Sequence, residues 1–265
     1  MAEAGRLLSE YRRRSRLSQL DLANLAEVSP RHISFIENGR TQPSRTMLMR
    51  LTTALDVDLQ DSNLLLQAAG FAPAYSRCDI NSPDMAPVRT ALALMLEKQE
   101  PYPAVVFDGH WNILMANQAQ LRMTAALLHT NEVPPGTNLL RLVFSHEALR
   151  PHIVNWDEVA GYLLRRLRRQ VLSYSRHQHR QLLQELLHMQ PPQGWQTPPL
   201  HTHDKPMLTV DVRMGNQVLR LFSTLSQFGT ALDIGMEELL IESYFPADDA
   251  TRDFFLSAAE WKPGT

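Results

Sequence analysis

Four side chains in the stretch VSPRHISFIENGRTQPS, residues 28–44, are of the types that read a nucleic acid. Arg31 presents a fork of donors that matches guanine O6 and N7, His32 and Ser34 can bond base edges or phosphates, and Phe35 can touch a thymine methyl. Gln19, ahead of them, is placed to donate to a phosphate at the start of a helix, where the dipole helps. Arg40, Thr41 and Ser44 are further phosphate candidates. Other constellations point less firmly. His177 and His179 are two apart, so a helix turns their rings to different faces, and His201, His203 and Asp204 lack a third histidine or cysteine, so no metal is expected. The basic run RRLRR, Arg165–Arg169, reads as a solvated helix face, with DNA or partner contact as the alternative. Serine, histidine and aspartate occur without a nucleophile elbow or phosphate loop, so no catalytic residue is assigned and an enzyme is not expected.

The elements that must hold the first group are legible from caps and periodicity. Residues 4–16 read as a helix with Leu7, Leu8 and Tyr11 on one face and arginines on the other. Ser18 starts a second helix, with Asp21 three residues on as a variant capping box. Ser29 caps a third, with Pro30 at its first position and Asn38-Gly39 as its stop. Ser44 caps a fourth, and a fifth runs around Asp61–Ala69 to Gly70. The second and third are separated by only EVS, which bends them steeply into a helix-turn-helix. The third helix is then the one that enters a major groove, with Ile33 and Ile36 facing inward and Arg31, His32, Ser34 and Phe35 outward.

With 265 residues the chain has room for a second domain. The net charge of −2 excludes binding of a polyanion by bulk charge, so any such contact is a local patch. Cys78 is the only cysteine, which rules out an internal disulfide and, with no apolar leader or membrane-length run, suggests a cytoplasmic protein. Residues 71–87, rich in proline, read as a linker. Beyond it come a helix over Pro87–Gln99, a strand Ala104–Phe107, a two-residue Asp108-Gly109 hairpin turn, a strand Trp111–Met115, a helix Asn117–Leu128 and a helix-rich stretch, 138–189. After a proline-rich break at 191–206, MLTVDVR and QVLRLFSTL flank a Met-Gly-Asn turn, and EELLIESYFPADD adds a short apolar segment. Two hairpins in one antiparallel sheet, with helices over one face, make an α+β domain that can enclose an apolar pocket.

The segment LSQLDLANLAEVSPRHISFIENGRTQPSRTMLMRLTTALDV resembles the helix-turn-helix of the lambda-repressor-like, or XRE, family, over roughly residues 5–70. The departure is Glu27, where that family usually has glycine. The segments YPAVVFDGHWNILMANQA, NLLRLVF, VNWDEVAGYLLRRLR and LRLFSTLSQFGTALDIGMEELLIESYFPADDAT resemble the MmyB-like ligand-binding domain of transcription regulators. The resemblance implies an all-α lambda-repressor-like helix-turn-helix domain over 4–70 and an α+β, PAS-like ligand-binding domain over 88–265. It implies a DNA-binding regulator, working as a homodimer on operator DNA, that senses a small apolar ligand such as a fatty acid and needs no other cofactor. The alternatives are an enzyme or a protein-interaction module with an appended helix-turn-helix. Apolar residues expected to line the pocket are Val106, Trp111, Leu114, Leu121, Phe144, Trp156, Leu163, Phe222 and Phe228. Asn117, Arg122 and His146 are the candidates to orient a carboxylate head group.

Overall fold

The computed structural model describes residues 2–129, 134, 136–173, 177–197 and 207–260. The chain divides into two compact units: residues up to Met85 together with Phe228–Glu237, and Ala86–Gln227 together with residues from Glu238 onward.

The first unit is built on α1 (Ala2–Arg14), α2 (Gln19–Leu25), α3 (Pro30–Glu37), α4 (Arg45–Ala54) and α5 (Leu59–Ala68). The starts of α2, α3, α4 and α5 are fixed by caps that the sequence supplies. Ser18 and Asp21 satisfy each other's backbone N–H groups at 2.8 and 3.1 Å, completing a capping box with aspartate in the usual glutamate place. Ser29 accepts from the His32 N–H and Ser44 from the Met47 N–H, both at 3.2 Å. The amphipathic faces then close over one core that includes Leu8, Leu22, Ile33, Ile36, Leu48 and Leu51. One packing contact is set by the absence of a side chain: a Cβ on Gly5 would lie 2.4 Å from the Ile36 carbonyl oxygen and 2.6 Å from that of Glu37. The first helix therefore meets the end of the third backbone to backbone.

The segment read as a linker is tied to this unit. Phe71 and Ala74 pack on its core. The buried Asn63 of α5 accepts from the N–H groups of Ala74 (2.8 Å) and Tyr75 (3.1 Å) and donates to the Tyr75 carbonyl (2.7 Å). Asp233 then accepts from the Ser76 hydroxyl at 2.6 Å and from the Cys78 N–H at 3.0 Å, and Ile234 N–H bonds the Ser76 carbonyl at 2.9 Å. Proline excludes regular helix here, and side chains distant in sequence supply the order instead. Phe228, assigned from sequence to the C-terminal pocket, belongs to this first unit.

The second unit contains α6 (Ala86–Lys98), β1 (Ala104–Phe107), β2 (Ile113–Ala116), α7 (Gln118–Leu128), α8 (Leu139–Phe144), α9 (Trp156–Ser173), α10 (His177–His188), β3 (Val210–Met214), β4 (Gln217–Ser226), β5 (Leu240–Pro246) and α12 (Asp249–Glu260), while the one-turn α11 (Ile234–Glu237) lies in the first. Its antiparallel sheet has the order β2-β1-β5-β4-β3. The two expected hairpins are present, and the last strand joins them, with Val106 opposite Ile241 on one side and Thr224 opposite Ser243 on the other. Phe107, Trp111, Leu140, Phe144, Leu164 and Leu167 form the core against α8, α9 and α10. This is the α+β, PAS-like class expected. Among the described residues no helix is long and apolar enough to cross a membrane.

The turns of the two hairpins differ. Gly215-Asn216 makes the tight connection, with Gly215 at φ +57° and Met214 opposite Gln217. Asp108-Gly109 does not close as a two-residue turn. The Asp108 carboxylate accepts from the His110 and Asn112 N–H groups at 2.8 and 2.9 Å, drawing the loop out to residue 112, and Phe107 pairs with Ile113 across a bulge. The left-handed residue of this loop is Trp111, at φ +69°.

Glu27 adopts φ +50° between α2 and α3, the left-handed geometry that glycine takes without cost, and its carboxylate pairs with Arg50. The side chain is 81% exposed, so the ion pair offsets little of the strain. Because Glu27→Gly and Glu27→Ala both delete that pair, their comparison isolates the backbone. Urea unfolding should find the glycine variant more stable than the alanine variant by about 1 kcal/mol.

Candidate DNA-contact helix and ligand pocket

Helix α3 buries Ile33 and Ile36 and turns Arg31, His32, Ser34 and Phe35 outward. Arg31 is exposed, and its guanidinium lies 5.1 Å from the centroid of the Phe35 ring; that of Arg40 lies 5.9 Å from the same ring. The aromatic ring thus lies beneath two cations, both of exposed side chains. Ser34 accepts from the Asn38 amide at 3.3 Å, and the Ser44 hydroxyl is spent on the cap of α4. Thr41, half-buried, has its N–H within reach of the Phe35 carbonyl at 3.3 Å.

Gln19 does something other than the phosphate contact assigned to it from sequence. Its amide donates to Glu37 at 2.7 Å. Arg12 grips the same carboxylate with two bonds of 2.6 and 2.9 Å and donates to the Leu17 carbonyl at 2.8 Å. The side chains of Arg12 and Glu37 are only 10% and 5% exposed. Three helices therefore converge on one buried carboxylate at the end of α3. Grouping Arg12 with its arginine neighbours as a solvated face misplaces it: it stands four residues after Leu8 and shares that residue's inward stripe.

In the second unit a cavity of about 230 Å³ opens among α8, α9 and the sheet. Of the pocket residues assigned from sequence, Trp111, Leu163 and Phe222 line it. They are joined by Leu139, Val143 and Ile153, and by Glu242, Tyr244 and Ser223 on the sheet. The others have different places. Val106 is fully buried in β1, and Phe144 packs edge-on against Trp156, 5.0 Å between centroids, with Arg150 lying 4.5 Å from the Trp156 ring centroid. Leu114 lies on the outermost strand, half-buried, and Leu121 is exposed on α7.

None of the three head-group candidates lines the cavity. Asn117 caps α7 and accepts from the Ala104 N–H at 3.0 Å, Arg122 pairs with Glu100 at 3.3 Å, and His146 is exposed. The polar groups at the cavity come instead from β5, which as a short apolar segment gave no pocket signal. Its alternation places Glu242 and Tyr244 on one face, but only pairing with β4 turns that face to the cavity.

Trp111 forms part of the wall in a constrained pose. Its ring stacks on Phe107 at 5.1 Å and 8°, its indole N–H donates to Gln170 at 2.9 Å, and the Arg166 guanidinium sits 4.6 Å from its centroid. The run RRLRR is thus not one solvated face. Arg166 covers Trp111, Arg165 donates to the Trp195 carbonyl at 2.9 Å, and Arg168 and Arg169 are exposed. Burial pushes the Glu242 carboxyl up, against the opposing hydrogen bonds from Ser223 and Tyr244 and the charge of Arg166. His201, His203 and Asp204 lie outside the described residues. Among those that are described, no group of three or more His, Cys, Asp or Glu side chains is placed to hold a metal.

Comparison with family models identifies the two units as parts of a DNA-binding transcription regulator with a ligand-binding domain. Residues 88–256 match the MmyB-like transcription regulator ligand binding domain and residues 3–65 a helix-turn-helix domain. The first match spans more than half the chain, and the protein belongs to the MmyB-like family of transcription regulators. Both matched families are domains of regulators and not of enzymes. A search of curated proteins gives no match. Among solved structures the chain is similar to the restriction-modification controller protein C.AhdI from Aeromonas hydrophila, at 30% identity over 23% of this chain and 92% of that one, TM-score 0.22. It is also similar to the PAS domain of BvgS from Bordetella pertussis, at 16% identity over 64% and 97%, TM-score 0.29. A third likeness is to an RNA-binding light-oxygen-voltage receptor, at 11% identity over 98% and 63%, TM-score 0.24.

The buried carboxylate at the end of α3 makes the helix-turn-helix acid-sensitive in a definite direction. Burial alone would raise Glu37, but the bonds from Arg12 and Gln19, with the charge of Arg12, hold it below the ordinary carboxylate value. Its contribution is therefore complete above the unfolded value, about pH 4.3, and is lost as pH falls through the lower folded value. Arg12→Ala should cost about 3 kcal/mol at neutral pH by leaving that carboxylate buried and unpaired. In Glu37→Gln the acid limb of the pH–stability curve should flatten, as read by urea unfolding at stepped pH.

Proposed function

We propose that the protein binds operator DNA through α3 and the residues that follow it, as a cytoplasmic homodimer, and that a small apolar molecule in the cavity of the second unit regulates this binding. The carrying observation is the composition of the outward edge of α3. Ile33 and Ile36 are consumed by the core, while the exposed Arg31 and Arg40 flank the half-buried Phe35 to form one basic and aromatic edge on an otherwise weakly acidic chain. Arg31 is the residue suited to a bidentate guanine contact, and Arg40 to a phosphate. His32 and Ser34, on the same helix, and Thr41, just beyond it, supply further hydrogen bonds. Ser44 reaches DNA only by a contact compatible with its capping role, and Gln19 only by leaving Glu37.

The ligand reading rests on the cavity within a domain of the MmyB-like ligand-binding family. At about 230 Å³ the cavity lies below the usual range of ligand sites, about 300–1,000 Å³, and it suits a short apolar body better than a large cofactor. Fatty acids, which the sequence resemblance suggests, are one class of apolar molecule to test. Regulation requires that the ligand bind two states of unequal DNA affinity differently, since a ligand with equal affinity for both shifts nothing.

Arg31→Ala should weaken binding to the operator by roughly 1–3 kcal/mol and relax discrimination at one base pair. Fluorescence anisotropy on DNA from the protein's own promoter region, across a salt series, reads both effects. Equal weakening on every sequence would make Arg31 a phosphate contact, and a wild-type protein with no salt-dependent, sequence-selective binding would end the DNA reading. For the cavity, native mass spectrometry should show an apolar molecule retained or taken up by wild-type protein. Leu163→Trp, which fills the space from its wall, should abolish that uptake without changing the secondary structure seen by circular dichroism.

A further inference from the structure

The connection between β4 and β5 does not stay with the sheet. Its residues Phe228–Glu237 belong to the first unit, where they are bonded to Leu59, Ser76 and Cys78. The Asp233 carboxylate accepts from the Ser76 hydroxyl at 2.6 Å, from the Cys78 N–H at 3.0 Å and from the Met236 N–H at 3.2 Å. Burial works to raise this carboxyl, yet the hydrogen bonds from Ser76, Cys78 and Met236 hold it below its ordinary value. The Ile234 N–H bonds the Ser76 carbonyl at 2.9 Å, and Ile234 itself is buried. Gly235 lies flush against the neighbouring chain: a Cβ there would stand 2.6 Å from the Cys78 carbonyl oxygen. The Glu237 carboxylate accepts from the Leu59 N–H at 3.0 and 3.2 Å, satisfying a group that the first turn of α5 leaves without a helical partner.

Both ends of this segment are continuous with strands that line the cavity. β4, which carries Phe222 and Ser223, ends at Ser226, and β5, which carries Glu242 and Tyr244, begins at Leu240. Leu240 follows Glu237 by only three residues, a reach of about 10 Å at full extension, so a displacement of β5 has little slack before it acts on the bond to Leu59. The bonds of the segment order residues 76–78 and cap α5, whose Leu65 and Leu66 share one core with Ile33 and Ile36 of α3. Resting on the reading of the second unit as the ligand site and the first as the DNA-binding unit, we propose that Phe228–Glu237 is a coupling strap: occupancy of the cavity shifts β4 and β5, and the strap passes that shift to α5 and so to the core that sets α3. A passive brace would stabilise the first unit whatever the cavity contains. A strap makes the protection of its own bonds depend on the cavity.

The test is hydrogen exchange of the full chain, read by mass spectrometry on peptides that contain Leu59, Cys78 and Ile234, in wild type, Leu163→Trp, Gly235→Ala and the double variant. Leu163→Trp, or Val143→Trp from α8 if it does not fold, fills the cavity from its wall and stands in for an occupant. It should change the exchange rate of those peptides by about fivefold or more. Gly235→Ala lifts the strap without removing a hydrogen-bonding side chain and should speed exchange in the same peptides. Adding the tryptophan to it should then change them by less than about twofold. Operator affinity of the same proteins, read by anisotropy, should follow the same pattern. If Gly235→Ala does not fold, Asp233→Asn, of equal size and with one acceptor oxygen fewer, takes its place. Exchange that the filled cavity leaves unchanged makes the segment a passive brace and overturns the proposal, with the DNA and cavity readings standing. A full tryptophan effect that persists in the strap variant overturns it as well, and altered exchange beside unaltered operator affinity overturns its regulatory role. A wild type that binds no DNA ends the DNA reading, and the exchange measurements alone then decide whether the strap couples the cavity to α5.

Discussion

The carboxylate of Glu37 is the point on which the helix-turn-helix depends. It ends α3, and it is buried, so it must be fully paired or it would be costly. Arg12 from α1 supplies two donors in the planar fork that suits a carboxylate, and Gln19 from α2 supplies a third. The donors come from two helices and the carboxylate from a third, which makes the network a geometric constraint as well as a source of stability. The close approach of Gly5 to the Ile36 and Glu37 carbonyls works on the same end of the same helix. With that end held, the apolar anchors Ile33 and Ile36 determine the rotation of α3 and leave the Arg31–Phe35–Arg40 edge outside.

The second unit solves a related problem with different means. Trp111 sits in a backbone region that a large side chain rarely occupies, and several contacts over-determine it. Asp108 gathers the N–H groups of His110 and Asn112 on either side of Trp111, the buried His179 donates to the Gly109 carbonyl at 2.6 Å, and Gln170, Phe107 and Arg166 hold the indole itself. The result is a rigid aromatic wall facing a polar trio on β4 and β5. A cavity bounded by such a wall can favour one molecular shape, because neither side relaxes freely around a poor fit.

Local signals carried the N-terminal unit far. Ser18, Ser29 and Ser44 cap where they are expected, Asn38-Gly39 stops α3, and the period of Ile33 and Ile36 separates buried from exposed positions. The exceptions are residues whose partner lies elsewhere in the chain. Arg12 and Gln19 look like surface side chains until Glu37 is brought beside them. Residues 71–85 look like a free linker because proline content speaks only to the absence of helix, while Asn63 and Asp233 supply their bonds. Asp108-Gly109 is a hairpin signal by composition, but the Asp108 carboxylate competes for the backbone and draws the turn open.

By itself the sequence determined the class of each unit, the limits of the short helices and the outward edge of α3. All of these depend on interactions within a few residues: caps, stops and the helical period. The tertiary structure alone decided which apolar residues surround the cavity and which polar groups join them. Trp111, Leu163 and Phe222 reach the cavity, while Val106, Phe144 and Trp156 fill core, and nothing local distinguishes these two sets. Glu242, Tyr244 and Ser223 become one cluster only because β5 inserts between β1 and β4. That pairing joins segments about twenty residues apart on one side and well over a hundred on the other, and hydrogen-bond register across such distances is written in no short stretch of chain.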